Sequence, residues 1–168
     1  ARWRGAASVG TPAQAVQVQP RLNAGVYHSC EVGTDGSGWC WGWNVFGQLG
    51  DHSSANRSRP TRIAGEDWVR LSGGVYSTCG LKLDGTAWCW GSNYYGQLGD
   101  GTGANSLDPV QVPGDWIVLD VGQSHACGIR SDGTAWCWGA NASGQLGDDT
   151  IEQRLGPVQV GVAGDWVL

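Results

Sequence analysis

Six cysteines fall into three pairs with a common spacing: Cys30 and Cys40, Cys79 and Cys89, Cys127 and Cys137. Recurring thiol pairs could hold a metal, act as thiolate nucleophiles, or close disulfides. Zinc pairs sit about two to four residues apart, and no Cys or His here supplies the other half of a tetrahedral set. No metal and no other cofactor is therefore expected. Disulfides can be tested by register. Between Cys79 and Cys89 lies Leu83-Asp84-Gly85-Thr86, and Asp-Gly between strand-like runs signals a hairpin. A two-residue loop would leave the cysteines offset by one position. A three-residue loop, a type I turn followed by Gly85 in the left-handed region, sets Lys82 opposite Thr86, Leu81 opposite Ala87 and Cys79 opposite Cys89. Ladder alternation makes this a non-hydrogen-bonded pair with Cα atoms about 4.5 Å apart, at the short edge of what a disulfide accepts. The same arithmetic pairs Cys30 with Cys40 and Cys127 with Cys137. Persistent disulfides imply an oxidising compartment, so the expected location is secreted or at the cell surface.

Other reactive side chains are sorted by recurrence. Nine of the fifteen acids repeat: Asp35, Asp84 and Asp132 in the turn, Asp51, Asp100 and Asp148 after Gln-Leu-Gly, and Asp67, Asp115 and Asp165 before Trp. Recurrent positions serve a scaffold, as hydrogen-bond acceptors in turns and loops. The remaining acids, Glu66, Asp108, Asp120 and Glu152 among them, form no motif of the kind a glycosidase requires. His28 and His125 occupy equivalent places before the first Cys, with no nucleophile motif beside either. No catalytic residue is assigned, and an enzyme is not expected.

The hairpins belong to a repeat of about 49 residues: VYHSCEVGTDGSGWCWG from Val26, VYSTCGLKLDGTAWCWG from Val75 and QSHACGIRSDGTAWCWG from Gln123. After each second Cys come a Trp-Gly-x-Asn-x-x-Gly-Gln-Leu-Gly-Asp segment, a polar stretch, a proline-led strand and a tryptophan strand. With the two hairpin strands this makes four short strands per unit, the pattern of a β-propeller blade. The units are 26–74, 75–122 and 123–168, preceded by 1–25 as a partial, degenerate blade whose Trp3 aligns with Trp138. The tryptophans flanking each second Cys share a strand face, and with Trp68, Trp116 and Trp166 they are expected to pack between blades. Three units leave two open edges. Either further blades on a longer chain or self-association through blade edges would cover them; the first is favoured, because the chain starts without Met and its ends cut through the repeat.

A net charge of −5 and scattered arginines offer no field for a phosphate backbone, so nucleic acid is not an expected partner. No apolar run reaches the roughly 18 residues of a membrane span, so membrane insertion is not expected. Asn56-Arg57-Ser58 and Asn141-Ala142-Ser143 fit the glycosylation sequon, relevant in a eukaryote.

The Trp-Gly-x-Asn-x-x-Gly-Gln-Leu-Gly-Asp segments followed by Pro-x-x-Val resemble the regulator of chromosome condensation repeats, over Val26 to Leu168. The resemblance implies an all-β propeller of four-stranded antiparallel blades, three complete and one partial in this chain, used as a protein-interaction platform. Paired cysteines and an acidic surface set the chain apart from nuclear members and argue against chromatin binding and nuclear nucleotide exchange. Function is then sought where the repeats differ. Before Gly-Gln-Leu-Gly the copies carry Trp43, Val45 and Phe46, then Ser92, Tyr94 and Tyr95, then Ala140, Ala142 and Ser143. Trp43, Phe46, Tyr94 and Tyr95 are the candidate partner-binding residues, for another protein or an extracellular assembly. Carbohydrate stacking on the same rings, and inhibition of a secreted enzyme, are the alternatives. The polar loops 53–59 and 101–108 come next.

Overall fold

The computed structural model describes residues 21–161, which form twelve strands in three four-stranded antiparallel sheets. The first sheet contains β1 (Arg21–Ala24), β2 (His28–Val32), β3 (Gly38–Gly42) and β4 (Arg57–Arg62). The second contains β5 (Trp68–Gly73), β6 (Ser77–Lys82), β7 (Ala87–Gly91) and β8 (Ser106–Val112). The third contains β9 (Trp116–Val121), β10 (His125–Arg130), β11 (Ala135–Gly139) and β12 (Arg154–Gln159). Each is a simple meander in chain order. The partial blade expected over 1–25 falls mostly outside the described residues, as do Trp3, Asp165 and Trp166; Arg21–Ala24 is the first strand of the first sheet.

The central hairpins have the register that their turns dictate. Cys30 pairs with Cys40, Cys79 with Cys89 and Cys127 with Cys137, and each pair is disulfide-bonded, at Cα separations of 4.1, 4.0 and 4.1 Å. Gly85 has φ +83°, its N–H donates to the Lys82 carbonyl at 3.0 Å, and Lys82 N–H donates to the Thr86 carbonyl at 2.9 Å. Asp84 braces the turn by accepting from the Thr86 amide and hydroxyl at 2.9 and 2.7 Å, while Trp88 Nε1 donates to that same hydroxyl at 3.0 Å. Asp35-Ser37-Trp39 and Asp132-Thr134-Trp136 repeat the arrangement. The Ser or Thr hydroxyl is the chief reason these three carboxyls sit below the usual aspartate range.

Sheet and sequence repeat are offset by one strand. The tryptophan strand that ends each repeat pairs with the next hairpin, so Trp68–Gly73 joins the second sheet and Trp116–Val121 the third. Residues 63–67 resemble a hairpin turn in sequence, yet they cross between sheets. Their ends stay tied to the hairpin left behind: Ile63 N–H donates to Gly38 C=O and Trp68 N–H to Gly36 C=O, both at 3.0 Å.

Blades pack face to face, the disulfide side of one against the tryptophan side of the next. Cys30, Cys40, Val32 and Leu49 meet Trp68, Leu71 and Trp90 in the first seam. Cys79, Cys89, Leu98 and Val112 meet Trp116, Leu119 and Trp138 in the second. Within each tryptophan face the rings tilt against each other, with centroids 5.6 Å apart for Trp68 and Trp90 and 5.3 Å for Trp116 and Trp138. Each seam is also latched: Trp90 Nε1 donates to the Gln48 carbonyl at 2.9 Å and Trp138 Nε1 to the Gln97 carbonyl at 3.0 Å. A Cβ on Gly99, which has φ +70°, would lie 2.6 Å from Trp138 Nε1, so the Gln-Leu-Gly sequence is the socket for the next blade's indole.

His28 lies in the first seam, 3% exposed, with Nε2 2.7 Å from Thr78 Oγ1. The Thr78 hydroxyl donates to the Gln48 carbonyl at 2.7 Å, which makes the imidazole the donor at Nε2 and leaves a buried Nδ1 without a partner. Burial lowers the His28 pKa from 6.5 to about 4. Since the unfolded chain takes up the proton first, this contribution to stability is complete above about pH 6.5 and is lost as pH falls toward 4. Unfolding free energy is expected to drop by on the order of 2 kcal/mol between pH 7 and 4.5, with His28→Gln flattening that window in urea titrations. His125, lowered by burial against an opposing pull from Asp120, acts in the same direction.

Candidate functional site

The loops that follow β3, β7 and β11 are built around a buried asparagine. Asn44 Nδ2 donates to Asp51 Oδ1 at 3.0 Å and to the Ser53 and Ala55 carbonyls at 2.9 and 3.1 Å, while its Oδ1 accepts from Leu49 N–H at 2.8 Å. Asn93 and Asn141 hold the equivalent carboxylate, carbonyl and leucine amide. The glutamine of each Gln-Leu-Gly accepts from the amide two residues before it: Phe46, Tyr95 or Ser143. Arg57 and Arg154 close the outer side by donating to Asp51 and Asp148 at 2.6 and 2.7 Å. The Thr150 hydroxyl first, with Arg154 and Asn141, holds the Asp148 carboxyl down to about 2. The motif thus fixes a loop backbone, and of the variable side chains Val45, Tyr94, Tyr95, Ala142 and Ser143 are exposed. The loops 53–59 and 101–108 belong to this bracing, for Asn56 and Asn105 accept from the Asn44 and Asn93 amides at 2.8 and 2.7 Å.

A second tie adds residues that the sequence comparison missed. Trp43 N–H donates to the Tyr27 carbonyl and Ser92 N–H to the Tyr76 carbonyl, both at 2.9 Å, and Ala140 N–H to the Ser124 carbonyl at 2.8 Å. The residues before each hairpin are thereby seated beside the variable loop. Tyr27 and Trp43 meet edge to face at 5.6 Å, Trp43 and Phe46 at 5.5 Å, and Phe46 and Tyr76 at 5.7 Å. On the second blade Tyr94 and Tyr95 form another such pair at 5.1 Å.

All four sequence-predicted partner-binding residues therefore stand on one face. Their settings differ: Trp43 and Phe46 are half-buried in the cluster, whereas Tyr94 and Tyr95 are 77% and 42% exposed. Between the two groups lies a hollow of about 280 Å³ walled by Phe46, Tyr76, Tyr94 and Tyr95. Ser92, Gln97, Asn105 and Ser124 complete its lining, without any formal charge. A larger, more open hollow of about 560 Å³ beyond Tyr95 runs on past Ser124, His125, Ala140 and Ala142 across the third blade.

The other sequence candidates are dispersed. Glu66 pairs with Arg62 at 2.9 Å, Asp108 with His52, and Glu152 lies 3.9 Å from Arg154. Asp120 accepts from Ser72 Oγ at 2.8 Å across the second seam. Asp67 and Asp115 serve through their backbone carbonyls. Among the described residues, no three His, Cys, Asp or Glu side chains are grouped as a metal set would be. The sequons separate, because Asn141 is buried with its Nδ2 committed and Asn56 is exposed. At the opposite, turn end of the hairpins, Lys82 lies between Trp68 and Trp88 at 5.0 and 5.1 Å from the ring centroids, and Arg130 between Trp116 and Trp136 at 5.1 and 3.7 Å.

Comparison with known proteins gives a consistent picture. The family model described as the regulator of chromosome condensation (RCC1) repeat matches residues 35–81, 84–129 and 132–167, and a second model of that repeat matches 68–97 and 117–145. Over 48 residues the chain is 44% identical to the X-linked retinitis pigmentosa GTPase regulator homolog of Caenorhabditis elegans, covering 27% of this chain and 3% of that protein. The crystal structure of Prp20p from Saccharomyces cerevisiae, described together with its binding to Gsp1p and histones, superposes with a TM-score of 0.77 at 18% identity, covering 84% of this chain and 38% of that one. Human WBSCR16 superposes with a TM-score of 0.75 at 22% identity, covering 87% of this chain and 39% of that one. The chain thus spans less than two fifths of these structures and a small part of the curated relative. The three sheets are blades of this β-propeller fold.

Proposed function

Because the chain belongs to the regulator of chromosome condensation repeat family, we propose that it is a non-catalytic, extracellular interaction module that binds a protein partner through the Trp43–Tyr95 face. The observation carrying this reading is the uncharged aromatic face itself, on which Tyr94 and Tyr95 stand exposed beside a hollow framed by Phe46 and Tyr76. Exposed tyrosines of this kind supply large contact area at small entropic cost and are typical interface anchors. The protein-binding described for Prp20p supports a protein as partner. Three disulfides support an oxidising location, and the pairing of the unrepeated acids into local contacts supports a role without catalysis.

The test separates surface from scaffold. Replacing Tyr94 and Tyr95 together with serine leaves the Gln97 bond to the residue 95 amide in place, so the unfolding free energy is expected to stay within about 0.5 kcal/mol of the parent. Partner affinity is expected to fall by a factor of about ten or more. A photoreactive residue at position 94, cross-linked in the native secretory setting, identifies the partner, and the same experiment with residue 117 on β9 as the bearing position is the control. Undiminished binding by the double variant would overturn the assignment of this face.

A further inference from the structure

Of the two glycosylation sequons, the fold leaves one open to modification. Asn56 is exposed, and its Oδ1 accepts from the Asn44 amide at 2.8 Å, while its Nδ2 makes no hydrogen bond among the described residues. Ser58, which supplies the hydroxyl of the sequon, is exposed as well. Arg57 between them is tied back onto the loop, donating to Asp51 Oδ2 at 2.6 Å and to Ser53 Oγ at 3.2 Å. The three residues stand where the loop enters β4, the outermost strand of the first sheet, which pairs with β3 alone among the described strands. The corresponding asparagine of the second blade, Asn105, also accepts from a loop amide, but Leu107 stands two residues on and there is no sequon.

Asn141-Ala142-Ser143 has the same residue pattern in the opposite setting. Asn141 is 1% exposed, its Nδ2 donates to Asp148 Oδ1 and to the Thr150 carbonyl, both at 3.0 Å, and its Oδ1 accepts from the Leu146 amide at 3.0 Å. That nitrogen has no hydrogen to give up without losing one of these buried bonds. Resting on the extracellular reading above, we propose that Asn56 is an acceptor for an N-linked glycan and that Asn141 is not. The reaction class is transfer of an oligosaccharide from a lipid-linked pyrophosphate donor. The bond from the sugar's anomeric carbon to the pyrophosphate oxygen breaks, a bond from that carbon to Asn56 Nδ2 forms, and one Nδ2 proton leaves with the pyrophosphate. The product is still an amide, with one N–H and its carbonyl, so the Oδ1 that braces the Asn44 amide survives the modification.

The full chain is sent through the secretory pathway of a eukaryotic cell behind a cleavable export signal. Chain recovered from the lumen and the medium is analysed by intact mass and by peptide mapping, before and after treatment with peptide N-glycosidase. One glycan per chain is expected, on Asn56. Ser58→Ala, which changes an exposed side chain and keeps the Asn56 brace, is expected to remove the glycan completely while leaving the unfolding curve of the deglycosylated protein unchanged. Ser143→Ala is expected to have no effect on the glycan. A bare Asn56 in the disulfide-closed chain, a glycan that persists in Ser58→Ala, or a glycan on Asn141 of the folded chain overturns the proposal. Thiol mapping of the same samples keeps the location reading separate. Closed disulfides with a bare Asn56 would refute the site and leave the location standing, whereas free cysteines in the exported chain would count against the location whichever asparagine is modified.

Discussion

Asn93→Ala is expected to cost about 4 kcal/mol of unfolding free energy, because it strands several buried polar groups at once. Asn93 Nδ2 donates to Asp100 Oδ1 and to the Thr102 carbonyl, both at 3.0 Å, and its Oδ1 accepts from the buried Leu98 amide at 2.9 Å. Each unpaired group costs about 1 to 3 kcal/mol where water cannot replace the partner. Aspartate at 93 would restore the acceptor for Leu98 but set a carboxylate against Asp100, so it is expected to destabilise comparably. The same loop carries the Gln97 carbonyl that receives Trp138, so the damage is expected to reach the second seam. Chemical denaturation of the three proteins checks this; a loss under about 1 kcal/mol for Asn93→Ala would mean that the loop is held without its hub.

Replacing Cys79 and Cys89 together with alanine is expected to cost about 3 kcal/mol or somewhat more. All three disulfides have a sequence separation of 10, so their restriction of the unfolded chain is the same. Their surroundings differ. Cys79 and Cys89 lie inside the second seam against Trp116 and Trp138, whereas Cys127 is only partly buried. Removing the inner pair should therefore add the cost of a small void, making it the costlier pair by about 1 kcal/mol. Thermal unfolding of the two double variants side by side measures that difference, and equal losses would assign the whole effect to the unfolded chain.

The hairpins were legible because an Asp-Gly turn of defined length counts residues outward without ambiguity, and Cys79 opposite Cys89 followed from that count alone. Sheet membership was less accessible. Nothing local in residues 63–67 distinguishes a turn between paired strands from a crossing between blades; only the seam, where Trp68 packs on Cys30 and Cys40, decides it. Trp43, Phe46, Tyr94 and Tyr95 stood out because they break the repeat. Tyr27 and Tyr76 do not break it between the first two copies, and only the change to Ser124 in the third could have pointed to them. Their place in the cluster comes from a backbone bond between distant loops, which has no signature in residue type.

The one-strand offset between repeat and sheet also bears on what a change in repeat number would do to the fold. The family matches start at residues 35, 84 and 132, inside the hairpin turns, while the sheets start at Arg21, Trp68 and Trp116. A tandem duplication of one period, wherever its breakpoints fall, therefore joins two incomplete sheets into complete ones and restores every strand pairing. Gain or loss of a whole period preserves the strand-pairing pattern, whereas a half-period change would leave two blades incomplete.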